Sequence, residues 1–351
     1  MPRRRRILLA SAAALVLALA VVPLAGCAFN GPAYRGPVSG HFDGERFFNP
    51  GRRTPDKSLL DVLAWKLSSE PEPWEERAVL TSVPPTRVAA GPIRATWVGH
   101  STVLLQFDGL NVLTDPHWSP RASPVSFAGP RRFVEPGVRW EDLPPIDLVL
   151  LSHNHYDHCD LPTLQRLAAR DRPRILTMLG VDLLLAEAGV AGAEAMDWWE
   201  ERSVAADVTV TAVPAVHFSA RGTGDRNRTL WGGFVVSAPA GRIWFAGDTG
   251  DGDFPEAIAA RFAPIDLALI PIGAYLPRDF MRPVHVDPAE AVQVMRRAGV
   301  RTALGVHWAT FPLGDDGQDQ PAHDLDTALA ASDPRPDFRV LPIGGWLEVS
   351  R

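Results

Sequence analysis

Residues 152–160 read Ser-His-Asn-His-Tyr-Asp-His-Cys-Asp, which places His153, His155, Asp157 and His158 within one short run. Imidazole nitrogen and carboxylate oxygen are the donors that borderline-soft divalent cations such as zinc favour. Without a cation, each of these groups would need water or a hydrogen-bond partner of its own. A His-rich surface loop is the bland alternative, and the density of donors argues against it. The run alone holds too few ligands for two cations. His217, Asp248 and His307 meet the shortfall, because each stands just past a short apolar stretch, at 208–216, 243–247 and 303–306 respectively. Singly, each is more readily a hydrogen-bonded surface residue. As a set placed in the same way, they read as ligands, and the chemistry expected of them is hydrolysis by water activated between two metal ions.

Such donors must be delivered by strand ends, where successive side chains can converge beyond a sheet edge. The apolar run 147–152 predicts a buried strand leading into the motif, and Leu161–Arg170 predicts a helix with Leu161, Leu164, Leu167 and Ala168 on one face. Upstream, 95–98 and Thr102–Phe107 read as strands, and Asp108-Gly109 turns the chain into Leu110–Thr114. Downstream strands are expected at 208–216, 231–237, 242–246, 267–271 and 302–306. A helix should open with Asp287 as cap, Pro288 at its first position and Glu290 closing a capping box, and stop at Gly299. Strand pairs with helices entering between them give an α/β sandwich of two sheets covered by helices.

Of the 351 residues, 46% are hydrophobic, enough for a substantial core. The first 26 read as a lipoprotein signal peptide: Arg3 to Arg6, an apolar run at 7–22 broken by Ser11, then Leu24-Ala25-Gly26-Cys27. Cys27 would be lipidated and become the first mature residue, tethering an exported protein to a membrane of the cell envelope. Ala28 suits the outer membrane if there are two, and Sec and twin-arginine export are not distinguished. An uncleaved anchor is the competing reading. Loss of the four arginines leaves 31 basic against 41 acidic side chains, a net charge of −10, which offers nucleic acid no footprint. Cys159 is then the remaining thiol, expected to be buried and unpaired. Residues 27–92, rich in Gly, Pro and charge, read as a tether and N-terminal extension with a helix near Leu59–Ser68, and 93–351 as the catalytic domain. The sequence leaves a homodimer open.

The motif with His217, Asp248 and His307 resembles the metallo-β-lactamase superfamily. Flanking runs narrow the resemblance to the N-acyl-phosphatidylethanolamine-hydrolysing phospholipase D family. They are WVGHST at 97–102, LTDP at 113–116, PPID at 144–147, DWWE at 197–200, FAGDTG at 245–250, IPIGAY at 270–275, HVDP at 285–288 and HWATF at 307–311. The resemblance implies a four-layer αββα sandwich. It implies two Zn2+ per chain, one held by His153, His155 and His217, the other by Asp157, His158 and His307, with Asp248 bridging both. It further implies a membrane phospholipid substrate, cleaved to N-acylethanolamine and phosphatidic acid by hydroxide held between the metals. Asp157 or Asp248 would take a proton, and His285 would contact phosphate or protonate the leaving group. His100 and Asp115 are expected to orient ligands from behind. His41, His117 and His323 have no evident partner and read as surface residues. Trp198, Trp199 and Trp308 are candidates for an acyl groove, with core packing as the duller account. Competing functions are a lactonase or amide hydrolase on the same metals, and a non-catalytic envelope lipoprotein on this scaffold. The polar stretch 220–228 lengthens a loop relative to the family pattern.

Overall fold

The computed structural model describes residues 26–52 and 57–351; the apolar run at 7–22 lies outside the described residues. Among those described, fourteen strands form two seven-stranded sheets. The first runs β14-β1-β2-β3-β4-β5-β6, from β1 (Ile93–Gly99), β2 (Thr102–Phe107), β3 (Leu110–Thr114), β4 (Leu148–Leu151), β5 (Arg174–Met178), β6 (Glu194–Met196) and β14 (Trp346–Val349). The second runs β13-β12-β11-β10-β9-β8-β7, from β7 (Glu201–Ala205), β8 (Val208–Val213), β9 (Gly233–Ala238), β10 (Gly241–Phe245), β11 (Ile265–Pro271), β12 (Val300–Val306) and β13 (Asp337–Arg339).

Strand character follows position in the sheets. β4 and β11 are buried along their whole length and pair in parallel with their neighbours, which is why they read as unbroken apolar runs. β7 closes an edge, and its Glu201 is exposed, a charge that discourages further pairing. The inner faces share one core that includes Trp97, Phe107, Trp231 and Phe234, all at most 1% exposed. Phe42 and Phe47 join it, so part of the 27–92 segment packs on the sandwich as a strap.

Helices cover the outer faces. α1 (Leu59–Ser68) precedes the sheets; α2 (Leu161–Arg170) and α3 (Val181–Glu187) bury Leu164, Leu167, Val181 and Leu185 in the first-sheet core. α4 (Phe254–Phe262), α6 (Pro288–Arg297) and α7 (Gln320–Ala330) cover the second sheet through Ile258, Met295 and Leu325, while the short α5 (Arg278–Met281) lies between them in sequence. The capping box expected at α6 is present: Glu290 N–H donates to Asp287 Oδ1 at 2.8 Å and Asp287 N–H to Glu290 Oε2 at 3.2 Å. The αββα sandwich expected from the resemblance is the observed architecture. Among the described residues, no helix is long and apolar enough to cross a membrane.

Candidate metal centre

The donors meet where strands of both sheets end. His153 follows β4, Asp248 follows β10 and His307 follows β12, while His217 lies beyond β8 in a segment tied to Gly250 by the Val216–Gly250 bridge. β8 itself ends at Val213, three residues short of the expected end at 216. Gly247 explains the turn that presents Asp248: its φ is +63, and a Cβ there would meet Gly232 O at 2.6 Å. His100, Asp115 and His307 also hold positive φ, of 52, 33 and 66, conformations that L side chains keep only where the surroundings enforce them.

Hydrogen bonds behind the donors decide which atoms face inward. Asp115 accepts from Ser152 N–H at 2.7 Å and Ser152 O–H at 2.5 Å, and Ser152 Oγ stands 2.8 Å from His153 Nδ1. With the hydroxyl proton committed to Asp115, His153 Nδ1–H donates to Ser152 and its Nε2 is left as a lone pair. His158 Nδ1 lies 2.6 Å from Asp115 Oδ2, and His217 Nδ1 lies 3.0 Å from Val284 O. Each donates outward, so both Nε2 atoms turn inward. His100 Nε2 holds Asp157 Oδ2 at 2.8 Å. His100 and Asp115 thus lie beside the donors, hydrogen-bonded to Asp157 and to His158 respectively.

Two groups result. His153 Nε2 and His217 Nε2 approach His155 Nδ1 at 2.8 and 3.3 Å. Two lone pairs aimed at one imidazole nitrogen cannot both be satisfied by a single proton, which fits a cation. In the second group, Asp157 Oδ2 lies 3.1 Å from His158 Nε2 and 3.2 Å from His307 Nε2. Asp248 Oδ2 reaches both sides: 3.1 Å from His158 Nε2, 3.1 Å from His307 Nε2 and 3.7 Å from His217 Nε2. Asp248 Oδ1 and His158 Nε2 are buried without a hydrogen-bond partner. The donor set therefore fits divalent cations.

Charge points the same way. Burial, with neighbouring imidazoles, holds His153 well below the usual histidine value and lowers His155 and His217 to about 3, so all three are neutral, the form a metal binds. Burial opposes the charge on His158 and His307 too, but Asp248 and Asp157 override it, raising His158 well above its ordinary value and His307 to about 9. The two carboxylates are buried as well, and His158 in turn holds them far below the usual range. Without a cation, two protons supply the positive charge this cage demands.

His285 stands beside the cage, its ring 5.1 Å from His217 and 5.4 Å from His307. Burial lowers it to about 3, so it offers one N–H and one lone pair, and its Nδ1 has no partner. The donors open into a cavity of about 310 Å³ whose walls include Val62, Trp65, Phe218, Arg226, Phe280 and Met281. None of these was expected from sequence; α1, an apolar helix with a capping box, was their one local signal. A larger cavity of about 680 Å³, beside Trp97 and Trp308, touches none of the donors.

Two histidine readings need correction. His117 is 1% exposed, with Arg132 Nη2 at 3.1 Å and Asp160 Oδ2 at 3.6 Å from its Nδ1. His41 stacks on Trp198 at 4.5 Å and pairs with Asp197 at 2.7 Å. Both partnerships join residues far apart in sequence, which hid them. His323 is exposed and Cys159 is buried and unpaired, as expected. Trp198 and Trp308 pack against the main core and Trp199 against the second, so the mouth draws its indole from Trp65.

Comparison with known proteins completes the picture. Residues 110–308 match the β-lactamase superfamily domain. The chain is 35% identical over 304 residues to N-acyl-phosphatidylethanolamine-hydrolyzing phospholipase D 1 of Caenorhabditis elegans, a match covering 81% of this chain and 83% of that protein. It is 32% identical over 258 residues to the mitochondrial N-acyl-phosphatidylethanolamine-hydrolyzing phospholipase D of Saccharomyces cerevisiae, covering 72% of this chain and 55% of that one. Among solved structures, isothiocyanate hydrolase from Delia radicum gut bacteria shares the fold, with a TM-score of 0.58 at 18% identity over 74% of this chain and all (100%) of the other.

Proposed function

The chain belongs to the metallo-β-lactamase superfamily, in the N-acyl-phosphatidylethanolamine-hydrolysing phospholipase D family of metal-dependent hydrolases, and from that premise we propose a zinc phosphodiesterase acting on N-acylated phosphatidylethanolamines. Its products would be N-acylethanolamine and phosphatidic acid. The observation that carries this reading is the joining of a seven-donor cage to an apolar mouth. Four of the donors, His155, Asp157, Asp248 and His307, line one end of a cavity whose other walls include Val62, Trp65, Phe218 and Phe280 together with Lys57 and Arg226. A phosphodiester carrying acyl chains needs both. Small polar esters or lactones need only the first.

In this reading His153, His155 and His217 would hold one zinc ion and Asp157, His158 and His307 the other, with Asp248 placed between the two groups of donors. When bound, such a pair acts as a Lewis acid on the phosphoryl group and makes hydroxide available near neutral pH. The chain's own side chains do the rest. Asp157 or Asp248, both held ionised, would take the proton released as the nucleophile forms. His285 offers its N–H to a phosphate oxygen or to the leaving alkoxide. Asp115, His100 and the Val284 carbonyl keep His158, Asp157 and His217 aimed, a role that commonly governs metal affinity by 10–100-fold. Phe218 and Phe280 exclude water from the reacting end, and Lys57 and Arg226 at the mouth complement an anionic phosphate. We further place the protein at a membrane through acylated Cys27, which is exposed and lies 3.4 Å (Sγ to Oγ1) from Thr223.

A substrate panel tests this. The zinc-loaded protein should turn over N-acyl-phosphatidylethanolamine and leave lactones and β-lactams untouched. Rapid lactone or amide hydrolysis with no phospholipid turnover would replace it with the lactonase or amide-hydrolase reading.

A further inference from the structure

The run that carries His155, Asp157 and His158 is irregular backbone between β4 and α2, so neither a sheet ladder nor a helix fixes its shape. Within it, His158 N–H and Cys159 N–H both donate to His155 O, at 3.2 and 2.8 Å. The carbonyls that bracket this turn, of Asn154 and Cys159, are taken by one side chain from elsewhere in the sequence. Arg221 Nη1 donates to Asn154 O at 2.9 Å and to Cys159 O at 3.0 Å. Its guanidinium carbon also lies 3.8 Å from the centroid of the Tyr156 ring. A planar, permanently charged group thus spans the turn, bonding both ends and resting on an aromatic face between them.

Arg221 is itself held in place. It belongs to the polar loop 220–228, four residues beyond His217, and Asp225, 2% exposed, organises that loop. The Asp225 carboxylate accepts from Arg221 N–H at 3.0 Å, from Gly222 N–H at 2.9 Å and from Gly31 N–H at 2.7 Å. Asn227 N–H, donating to Ser219 O at 2.8 Å, closes the base of the loop. One segment therefore supplies the donor His217 and the cation that grips the neighbouring donors. Arg221 is not among the walls of the metal cavity, so its route to the chemistry runs through the turn it holds.

We propose that Arg221 is a positioning residue: it clamps the 154–159 turn so that His155 meets His153 and His217 while Asp157 and His158 face His307, and in doing so it sets the affinity of the cage for its cations. The inference rests on the metal reading of the cage and is independent of which substrate the cage acts on.

Hydrogen exchange of the metal-free full chain reads the clamp directly. Arg221→Met keeps an unbranched apolar stem and loses every donor. The His158 and Cys159 amides should then exchange at least about tenfold faster, while the amides of β4 and α2 keep the parent's rates. Zinc affinity of the same variant, by chelator competition, should fall by about 10–100-fold. Arg221→Lys keeps the charge without the planar fork and should lie between the two. Asp225→Asn loosens the support one step further back. It should cost less than Arg221→Met and add little in that background, as expected of groups acting through one contact. Exchange that quickens equally in β4 would mark Arg221 as a general stabiliser and overturn the proposal. Zinc affinity in Arg221→Met equal to the parent's would overturn it as well. A parent without measurable zinc affinity would sink the metal reading and this proposal together, whereas zinc binding without lipid turnover would sink the proposed substrate and leave the clamp standing.

Discussion

The metal cage and its mouth are built on opposite plans. His153, His158, His217, Asp248 and His307 are each at most 4% exposed, lie at strand ends or in the loops just beyond them, and several are aimed by a second group such as Asp115 or the Val284 carbonyl. The mouth is assembled from α1, α5 and the loops at 218 and 226, with Trp65 and Lys57 half-buried and with few hydrogen bonds to hold them. Rigid scaffolding suits a reaction that tolerates little displacement, whereas a surface that admits a long lipid gains from looser elements. The comparison separates where bond breaking is decided from where substrate choice is decided.

The largest effect should come from the residue that joins the two donor groups. Asp248→Asn keeps shape but removes the charge that both sides share, and kcat should fall by roughly 10³-fold or more, with zinc content dropping below that of the parent. Measuring both on one preparation distinguishes lost metal from lost chemistry. Next in size is pH. The proton on His307, with its value near 9, must leave before a cation can bind, and the cation is favoured as pH rises. Zinc affinity of the metal-free chain should therefore climb by at least about tenfold per pH unit between 7 and 9, the His307 proton supplying one factor of ten and the proton on His158 steepening it further, with proton release visible by calorimetry in buffers of differing ionisation heat. A flat profile would remove the charge-exchange account.

Asp115→Asn probes the support behind the cage. It should weaken zinc binding by about 10–100-fold, measured by chelator competition, while the mouth is untouched. The smallest effect belongs to the mouth. Trp65→Ala should raise KM for a long-chain lipid by about tenfold and leave kcat and zinc content near the parent's, because the indole lines the mouth and hydrogen-bonds to Asp315 rather than to any donor. If kcat falls instead, the separation between the two regions fails.

Legibility in the sequence follows the same divide. The 153–158 run is contiguous, and His217, Asp248 and His307 each follow an apolar stretch, so local pattern sufficed to nominate them. Asp115 and His100 fell within short runs of recognisable type. The mouth carries no such mark: Trp65, Phe218 and Phe280 come together only through folding, from positions with no shared spacing. His117 read as a surface residue because its burial depends on Arg132 and Asp160, and Phe42 and Phe47 lay in a Gly/Pro-rich stretch that gave no hint of core packing. β6 and β13 have three residues each, too short for alternation to show, and the charged edge strand β7 resembles a loop.

Lipid mass spectrometry of zinc-loaded protein with N-acyl-phosphatidylethanolamine tests the central claim most directly. The expected result is N-acylethanolamine and phosphatidic acid in equal amounts, lost on chelation and restored by zinc, and absent with Asp248→Asn. Release of fatty acid and lysophospholipid in their place, or turnover that Asp248→Asn retains at the full rate, would contradict it.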